Sequence, residues 1–489
     1  MTLKEFVNRV VAGLGYTPNE QQQAVIEALA RFCSPSRQAG LGRSADRVFL
    51  LNGYAGTGKT SLTGALVRAL HSVGISTVLL APTGRAAKVF GSFAGFPAYT
   101  IHRRIYRHSL NGERPGLQQN NSRNTVFIVD EASMIGDNDE VGGSLLEDLV
   151  QYVFAGENCS LIFLGDTAQL PPVGTQFSPA MDAETLRRMG LTVSRATLTA
   201  VARQSGMSGI LANATWMRRA MRQPEPPLPK LFTDGFDDVR KVTSEDLPEI
   251  IDAAYRRDGM DQTVIVTRSN RRAADFNRGI RAQVLYLEEE LAQGELILVA
   301  HNNYFWSKGV KELDFIANGD VAVVDRVFGT ESRYGMRFAD VRLTLVDRPD
   351  VSFDAKVMLN TLANDYAALG PGELEKLYQA ITSDPELFAP DTPYEMRNRQ
   401  LRTNPYWNAL RVKYAYAVTC HKAQGGQWQN VFVDMGYIPP EAMGLEFYRW
   451  LYTATTRARQ NLYFVNPDEQ CANLSPGPVR AVRGAAKRL

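Results

Sequence analysis

Cysteine is scarce in this chain of 489 residues. The four that occur, Cys33, Cys159, Cys420 and Cys471, lie far apart, without the close pairs of a zinc site or a disulfide scaffold. A reducing, cytoplasmic setting is expected. No uninterrupted apolar run approaches the ~20 residues that cross a bilayer. The N-terminal stretch interleaves Lys4, Glu5 and Arg9 with apolar side chains, as an amphipathic helix does and a signal-peptide core does not. Membrane insertion is therefore not expected. An excess of one charge is also missing: 54 Lys and Arg stand against 52 Asp and Glu, a net charge of +2. Overall charge thus neither demands nor excludes nucleic acid, and any basic groove must be local. There is no short internal repeat and no long low-complexity tract. With 44% hydrophobic and 22% charged residues, the composition excludes a disordered chain or a fibre. What the chain has is length, enough for roughly three domains.

Between Arg47 and about Ala200, short β-rich runs alternate with helical stretches, the pattern of a parallel sheet covered by helices. The strand candidates are 48–51, 77–81, 126–129 and 161–164. Ligands of such sheets bind beyond the carboxyl ends of the strands, so the chemistry is expected there. Pro224, Pro226, Pro227 and Pro229 then break the chain as a connector. A second α/β unit begins at 263–267, pauses near Gly294 and resumes from about Arg411 through Val465. Apolar runs at 321–327 and 341–346 predict antiparallel strands between its halves. The expected fold is α/β, with a first unit at 1–200, a second at 201–298 and 406–470, a β-rich insertion at 299–405, and a basic, flexible tail at 471–489 that carries Arg480, Arg483, Lys487 and Arg488.

Two motifs carry the chemistry. Gly53-Tyr-Ala-Gly-Thr-Gly58-Lys59-Thr60 is a complete G-x-x-x-x-G-K-T between a strand and a helix-forming segment. Its glycines let backbone N–H groups curl around a phosphate, the following helix offers its positive end, and Lys59 adds a mobile cation. The hydroxyl of Thr60 suits Mg²⁺. The second motif is an apolar strand ending in Asp130 and Glu131. Asp130 would hold Mg²⁺, and Glu131 would orient and deprotonate the attacking water.

These motifs stand in order with others: Ala81-Pro82-Thr83-Gly84-Arg85-Ala86-Ala87-Lys88, Asp130-Glu131-Ala132-Ser133, Leu164-Gly165-Asp166-Thr167-Ala168-Gln169-Leu170-Pro171-Pro172, Cys420-His421-Lys422-Ala423-Gln424-Gly425 and Tyr452-Thr453-Ala454-Thr455-Thr456-Arg457. The ordered set, from about Pro18 to Val465, resembles superfamily 1 helicases, specifically the 5′→3′ branch of RecD-like and Dda-like enzymes. The resemblance implies two RecA-like domains, the second interrupted by a small β-barrel. It also implies ATP and Mg²⁺ as cofactors, and single-stranded DNA and duplex–single-strand junctions as partners of a monomeric enzyme.

Carried over by residue, the resemblance places the nucleotide on Gly53, Ala55, Gly56, Thr57, Gly58, Lys59, Thr60 and Ser61, with Gly425 at the cleft. Gln21 takes the adenine-reading role, although three glutamines in succession leave Gln22 and Gln23 open. Gln169 would sense the terminal phosphate. Arg203 and Arg457 match the two arginines that stabilise charge on the transferring phosphoryl group. Pro82, Thr83, His102, Arg268, Asn270, Thr419, His421 and Lys422 match motifs that line the strand track, where contacts to phosphate oxygens allow movement without reading bases.

Phe93, Phe96, Tyr99 and Tyr106 are candidates for base stacking or for a strand-separating pin. The expected wedge hairpin, 103–124, is short and has no aromatic residue past Tyr106. Two activities therefore stay open: an ATP-dependent helicase, and an ATPase that moves on nucleic acid with little strand separation. In the insertion, Asn318-Gly319-Asp320 resembles the turn that opens the family's small barrel, and Asn-Gly is equally a plain hairpin turn.

Overall fold

A computed structural model of the protein describes residues 1–33, 46–106, 116–136, 143–200, 208–468 and 471, other than 311, 312, 314, 363, 367, 368, 371, 390, 391 and the side chain of 394. Six strands build the first lobe: β1 (Arg47–Gly53), β2 (Ser76–Ala81), β3 (Ala98–Thr100), β4 (Thr125–Val129), β5 (Ser160–Gly165) and β6 (Thr192–Leu198). All are parallel, in the order β3-β2-β4-β5-β1-β6. Every residue of β4 and β5 is buried, which is why both read as unbroken apolar runs. Two clusters of buried side chains cover the two faces of this sheet.

The second lobe opens with β7 (Val239–Val242) and β8 (Thr263–Thr267). The chain then leaves for a closed barrel of β9 (Leu296–Val299), β10 (Val321–Arg333), β11 (Met336–Leu345), β12 (Arg348–Met358) and β13 (Leu410–Tyr414). It returns with β14 (Ala417–Thr419), β15 (Trp428–Asp434) and β16 (Ala458–Val465). The second sheet is again parallel, in the order β14-β8-β15-β16-β7. The fold class is thus α/β, two RecA-like sheets with a barrel inserted in the second.

β3, β6 and β7 are not among the strands expected from the sequence, and all three are sheet edges. An edge strand needs no continuous apolar run. β6 reads Thr-Val-Ser-Arg-Ala-Thr-Leu and buries only Leu198. The barrel is wider than the expected insertion at 299–405. Of its closing strands, β9 is an unbroken buried apolar run like the central strands of the α/β halves, whereas β13 alternates apolar with charged residues. Between β12 and β13, helices Glu373–Thr382 and Tyr394–Leu401 bury Leu377, Ile381 and Leu401 in a separate small core. The β10–β11 hairpin turns on Tyr334 (φ 55°) and Gly335 (φ 73°), the two positive φ values that a tight hairpin requires.

The proline connector lies against the second lobe. Tyr448 donates to the Pro227 carbonyl at 2.6 Å, and Leu231 N–H to the Cys471 carbonyl at 2.8 Å. No described helix is long and apolar enough to cross a membrane. Residues 107–115 of the expected wedge, and the tail from 472, lie outside the described residues.

Candidate nucleotide and nucleic-acid site

The first lobe presents its chemistry at the carboxyl ends of β1, β4 and β5. Leaving β1, the loop turns through Gly56 (φ 77°) and Gly58 (φ 85°), and helix Lys59–Ser72 starts on it. At Gly53 the close approach is tighter still: a Cβ there would lie 2.7 Å from Lys59 Cγ. Lys59 Nζ donates to the Gly53 carbonyl and, at 3.1 Å, to the Tyr54 carbonyl. Thr57 closes the turn by donating to the Tyr54 carbonyl at 2.7 Å. The ammonium is thereby folded over the concave side of the loop, where a phosphate would displace it from the carbonyls.

Asp130 and Glu131 follow β4. Thr60 Oγ1 stands 3.4 Å from Asp130 Oδ2, and Asp130 Oδ1 accepts from the Glu131 N–H at 2.8 Å. Glu131 is held at φ 52°, in the left-handed region that a non-glycine residue seldom adopts. Burial, and next the charge of Glu131, push the Asp130 carboxyl up to about 7, against the pull of Lys59. A buried carboxylate short of positive charge, beside a hydroxyl, is an oxygen donor set that fits a hard divalent cation. Gln169, after β5, is buried with its side-chain Oε1 unpartnered, an acceptor with nothing yet to accept from.

Among the three glutamines, Gln21 is exposed, and its Oε1 accepts from Thr199 and Ala200 N–H, each at 2.9 Å. Gln22 is buried and donates to the Thr57 carbonyl of the phosphate loop at 3.0 Å, while Gln23 bonds Glu27 at 3.2 Å. Ser61 sits in the first turn of helix Lys59–Ser72. Arg203 lies outside the described residues.

Across the seam, helix Leu445–Thr455 of the second lobe reaches the phosphate loop. The Tyr452 hydroxyl accepts from Ala55 N–H at 3.0 Å and donates to Asp166 Oδ2 at 2.8 Å. Leu170 N–H donates to Thr453 Oγ1, and Gln424 Nε2 to the Leu170 carbonyl, both at 2.8 Å. Arg457, 3% exposed, follows that helix. Its guanidinium donates to the Thr453 carbonyl (3.1 Å), the Gly426 carbonyl (3.3 Å) and Thr456 Oγ1 (3.4 Å). Gly425 (φ 73°) packs against the first lobe, where a Cβ would meet Ala86 Cβ at 3.1 Å and Thr83 Oγ1 at 3.3 Å. Beside it, Arg85 Cζ lies 4.0 Å from the centre of the Trp428 ring.

The track residues lie on the two lobes. Pro82 and Thr83 stand between β2 and helix Gly84–Ala94, which Thr83 caps by accepting from Ala86 N–H at 3.2 Å. His102 is on helix Ile101–Ile105. Arg268 and Asn270 are exposed just past β8. Arg268 Cζ lies 5.5 Å from the ring centre of Phe447 and 5.8 Å from that of Trp450. Thr419 ends β14, and His421 and Lys422 follow it on helix Cys420–Ala423. Lys422 Nζ bonds Asn318 Oδ1 of the barrel turn, so that turn meets the second lobe directly. The same turn meets the first lobe at Gly84, where a Cβ would approach Asp320 Oδ1 to 3.1 Å. A cavity of about 250 Å³ lined by Lys88, Tyr99, Arg103, Phe315 and Arg348 adjoins it.

Two aromatic candidates are corrected. Tyr106 is buried and donates to Asp148 at 2.7 Å, and Phe96 stacks on His71 with ring centres 3.9 Å apart. Both rings are taken up by packing. Phe93 is 49% exposed, and Tyr99 carries the Arg103 guanidinium 4.7 Å from its ring centre. Sequence reasoning missed Tyr452 and Thr453, which share a motif with Arg457 and to which the resemblance assigns no role. It also missed Arg218 and Arg222 on helix Gly209–Ala220 and its C-terminal turn, which no motif marks. Arg222 Nη2 donates to the Tyr54 hydroxyl at 3.1 Å.

Residues 37–224 match the family described as an AAA domain, and residues 414–465 match the UvrD-like helicase C-terminal domain. With the ordered motifs and the two sheets, these matches agree with a likeness to superfamily 1 helicases of the RecD-like and Dda-like kind. The ATP-dependent RecD2 DNA helicase of Deinococcus radiodurans is 26% identical over 454 residues, covering 91% of this chain and 48% of that protein. The ATP-dependent DNA helicase dda of Enterobacteria phage T4 is 23% identical over 441 residues, covering 85% of this chain and 93% of that protein. The chain therefore spans about half the length of the first relative and nearly all of the second. Among solved structures, a Pif1 helicase from Bacteroides in complex with ADP-AlF3 and ssDNA aligns over 92% of both chains at 14% identity, with a TM-score of 0.46.

Proposed function

We propose that the chain is an ATP-dependent DNA helicase that moves 5′→3′ on single-stranded DNA and separates duplex at junctions. The observation that carries this proposal is the seam itself. The phosphate loop of one lobe and the helix leading to Arg457 of the other share a hydrogen bond, Ala55 N–H to the Tyr452 hydroxyl. The names of the RecD2 and dda relatives supply the substrate class.

In this mechanism the loop amides and Lys59 hold the phosphates of ATP, and Gln21 or its neighbour Gln22 holds the adenine. Thr60 and Asp130 would hold Mg²⁺, which supplies positive charge to the phosphate oxygens when bound. Glu131 orients a water and takes its proton. Gln169 turns its side-chain Nε2 donor to the terminal phosphate. Arg457 exchanges its backbone carbonyls for phosphoryl oxygens as the seam tightens, and Arg203 joins it. An arginine crossing a cleft contributes most in the transition state, where the charge is spread over three oxygens. Because Thr83 and Gly425 pack on each other beside the track, each closure changes the spacing of the track residues on the two lobes, and alternating grip becomes a step.

A second activity, movement with little strand separation, is favoured by one observation. Tyr106, the last aromatic residue of the expected wedge, is buried in the core. A duplex with a 5′ tail and one with a 3′ tail, each given ATP and Mg²⁺, separate the cases. Release from the 5′-tailed duplex alone is expected. ATP turnover stimulated by DNA, with no strand release, would replace the helicase by the translocase. Turnover indifferent to DNA would sink both.

A further inference from the structure

Arg218 lies on helix Gly209–Ala220 of the second lobe and is 8% exposed. One of its donors is used: Nη2 donates to Thr215 Oγ1 at 2.8 Å, one turn back. Nε and Nη1 have no hydrogen-bond partner. Among the described residues no carboxylate pairs with it. What it faces is the ring of Tyr54, the second residue of the phosphate loop, with Cζ 4.3 Å from the ring centre. The neighbouring Tyr452 hydroxyl is taken by Ala55 and Asp166.

A buried guanidinium with two unpartnered nitrogens is costly, and an aromatic face offsets only part of that cost. Packing alone would be served by an apolar side chain of similar length. A planar fork of donors suits one partner above others, a phosphate bound through two parallel hydrogen bonds. The adjoining loop is built to hold phosphates. We propose that Arg218 is a further phosphate-sensing residue, contributed by the second lobe: the end of its guanidinium, Nη1 beside the second N–H of Nη2, takes the terminal phosphate of a nucleoside triphosphate on the loop, and Tyr54 holds it when that phosphate is absent. This role rests on the nucleotide site proposed above. It also gives the nucleotide a second line into the opposite lobe. Helix Gly209–Ala220 packs on helix Leu445–Thr455, with the Trp216 and Tyr448 ring centres 5.9 Å apart, and the latter helix leads to Arg457.

The test is equilibrium binding of adenylyl imidodiphosphate and of ADP, each with Mg²⁺, to the full chain and to Arg218→Ala, Arg218→Lys and Lys59→Ala. Arg218→Ala should weaken the triphosphate analogue by about tenfold or more and ADP by less than about twofold, as the loss of charge-assisted hydrogen bonds to one phosphate requires. Arg218→Lys, which keeps the charge and loses the fork, should fall between. Equal losses for both nucleotides, or no loss for either, would overturn the proposal. If Arg218→Ala does not fold, as judged by thermal melting, the ratio of the two losses for Arg218→Lys decides in the same way. Lys59→Ala should weaken both nucleotides. Should it bind both as the parent does, the phosphate-loop site fails, whereas a failure confined to the Arg218 variants leaves that site standing.

Discussion

The two lobes have the same parallel-sheet plan and opposite equipment at their strand ends. The first ends β1 in a glycine loop with Lys59, β4 in Asp130 and Glu131, and β5 in Asp166. The second has no such loop and follows β8 with Arg268 and β14 with His421 and Lys422. In the first lobe, side chains that would hold the nucleotide contact one another: Lys59 the loop carbonyls, Thr60 the Asp130 carboxyl. In the second, Arg457 is bound to its own backbone, and Arg218 leans across the seam with donors to spare. On the function proposed above, one scaffold used twice divides the work: one copy would hold the phosphates, and the other would detect them and carry the result to the strand.

If that division is right, the largest effect comes from the detecting side. Arg457→Ala should cut DNA-stimulated ATP turnover by roughly 10³-fold while nucleotide binding, followed by titration, changes little. Comparable losses in binding and turnover would make Arg457 a holding residue and erase the contrast between the lobes. Glu131→Gln, on the holding side, should lower turnover by about 10²-fold or more with binding kept, because only the proton acceptor is lost. A smaller effect belongs to the seam: Tyr452→Phe leaves Ala55 N–H and Asp166 without their shared hydroxyl and should cost about 1–3 kcal/mol in unfolding experiments. Lys422→Ala should weaken single-stranded DNA, measured by anisotropy against salt, and flatten the salt dependence by about one charge, with basal turnover unchanged.

The smallest expected effect probes the barrel turn where the domains meet. Burial raises the Asp320 carboxyl to about 6. The folded chain therefore keeps this proton between about pH 4 and 6 where the unfolded chain has lost it, and the stability the group contributes falls as pH rises through that window. Asp320→Asn removes the loss. Its melting temperature relative to the parent should be higher at pH 8 than at pH 5, by ~1–2 °C. A difference independent of pH would place the carboxyl in water.

Legibility followed the distance along the chain over which each feature is written. The phosphate loop is eight consecutive residues between a strand and a helix, and all of its geometry is local. Strands β4 and β5 announce themselves because both faces are buried, whereas β3, β6 and β7 border only one neighbour and carry mixed residues. Three successive glutamines cannot be told apart by pattern. Only the docking of their helix buries Gln22 under Thr57 and leaves Gln21 at the surface. The contact between Tyr452 and Ala55 spans 397 positions and becomes visible only when the lobes are assembled. For the same reason Arg218 has no signature in its own neighbourhood: its significance lies in what it fails to bond, a property of the folded seam.

The central claim, that ATP is hydrolysed between the lobes in response to a strand bound across them, is tested most directly by one assay. Phosphate release would be followed with and without single-stranded DNA, for the parent chain and for Arg457→Ala. The account predicts strong stimulation of the parent by DNA and a variant that still binds DNA but releases almost no phosphate under either condition. A variant stimulated as fully as the parent would contradict it, because the second lobe would then have no part in the chemistry.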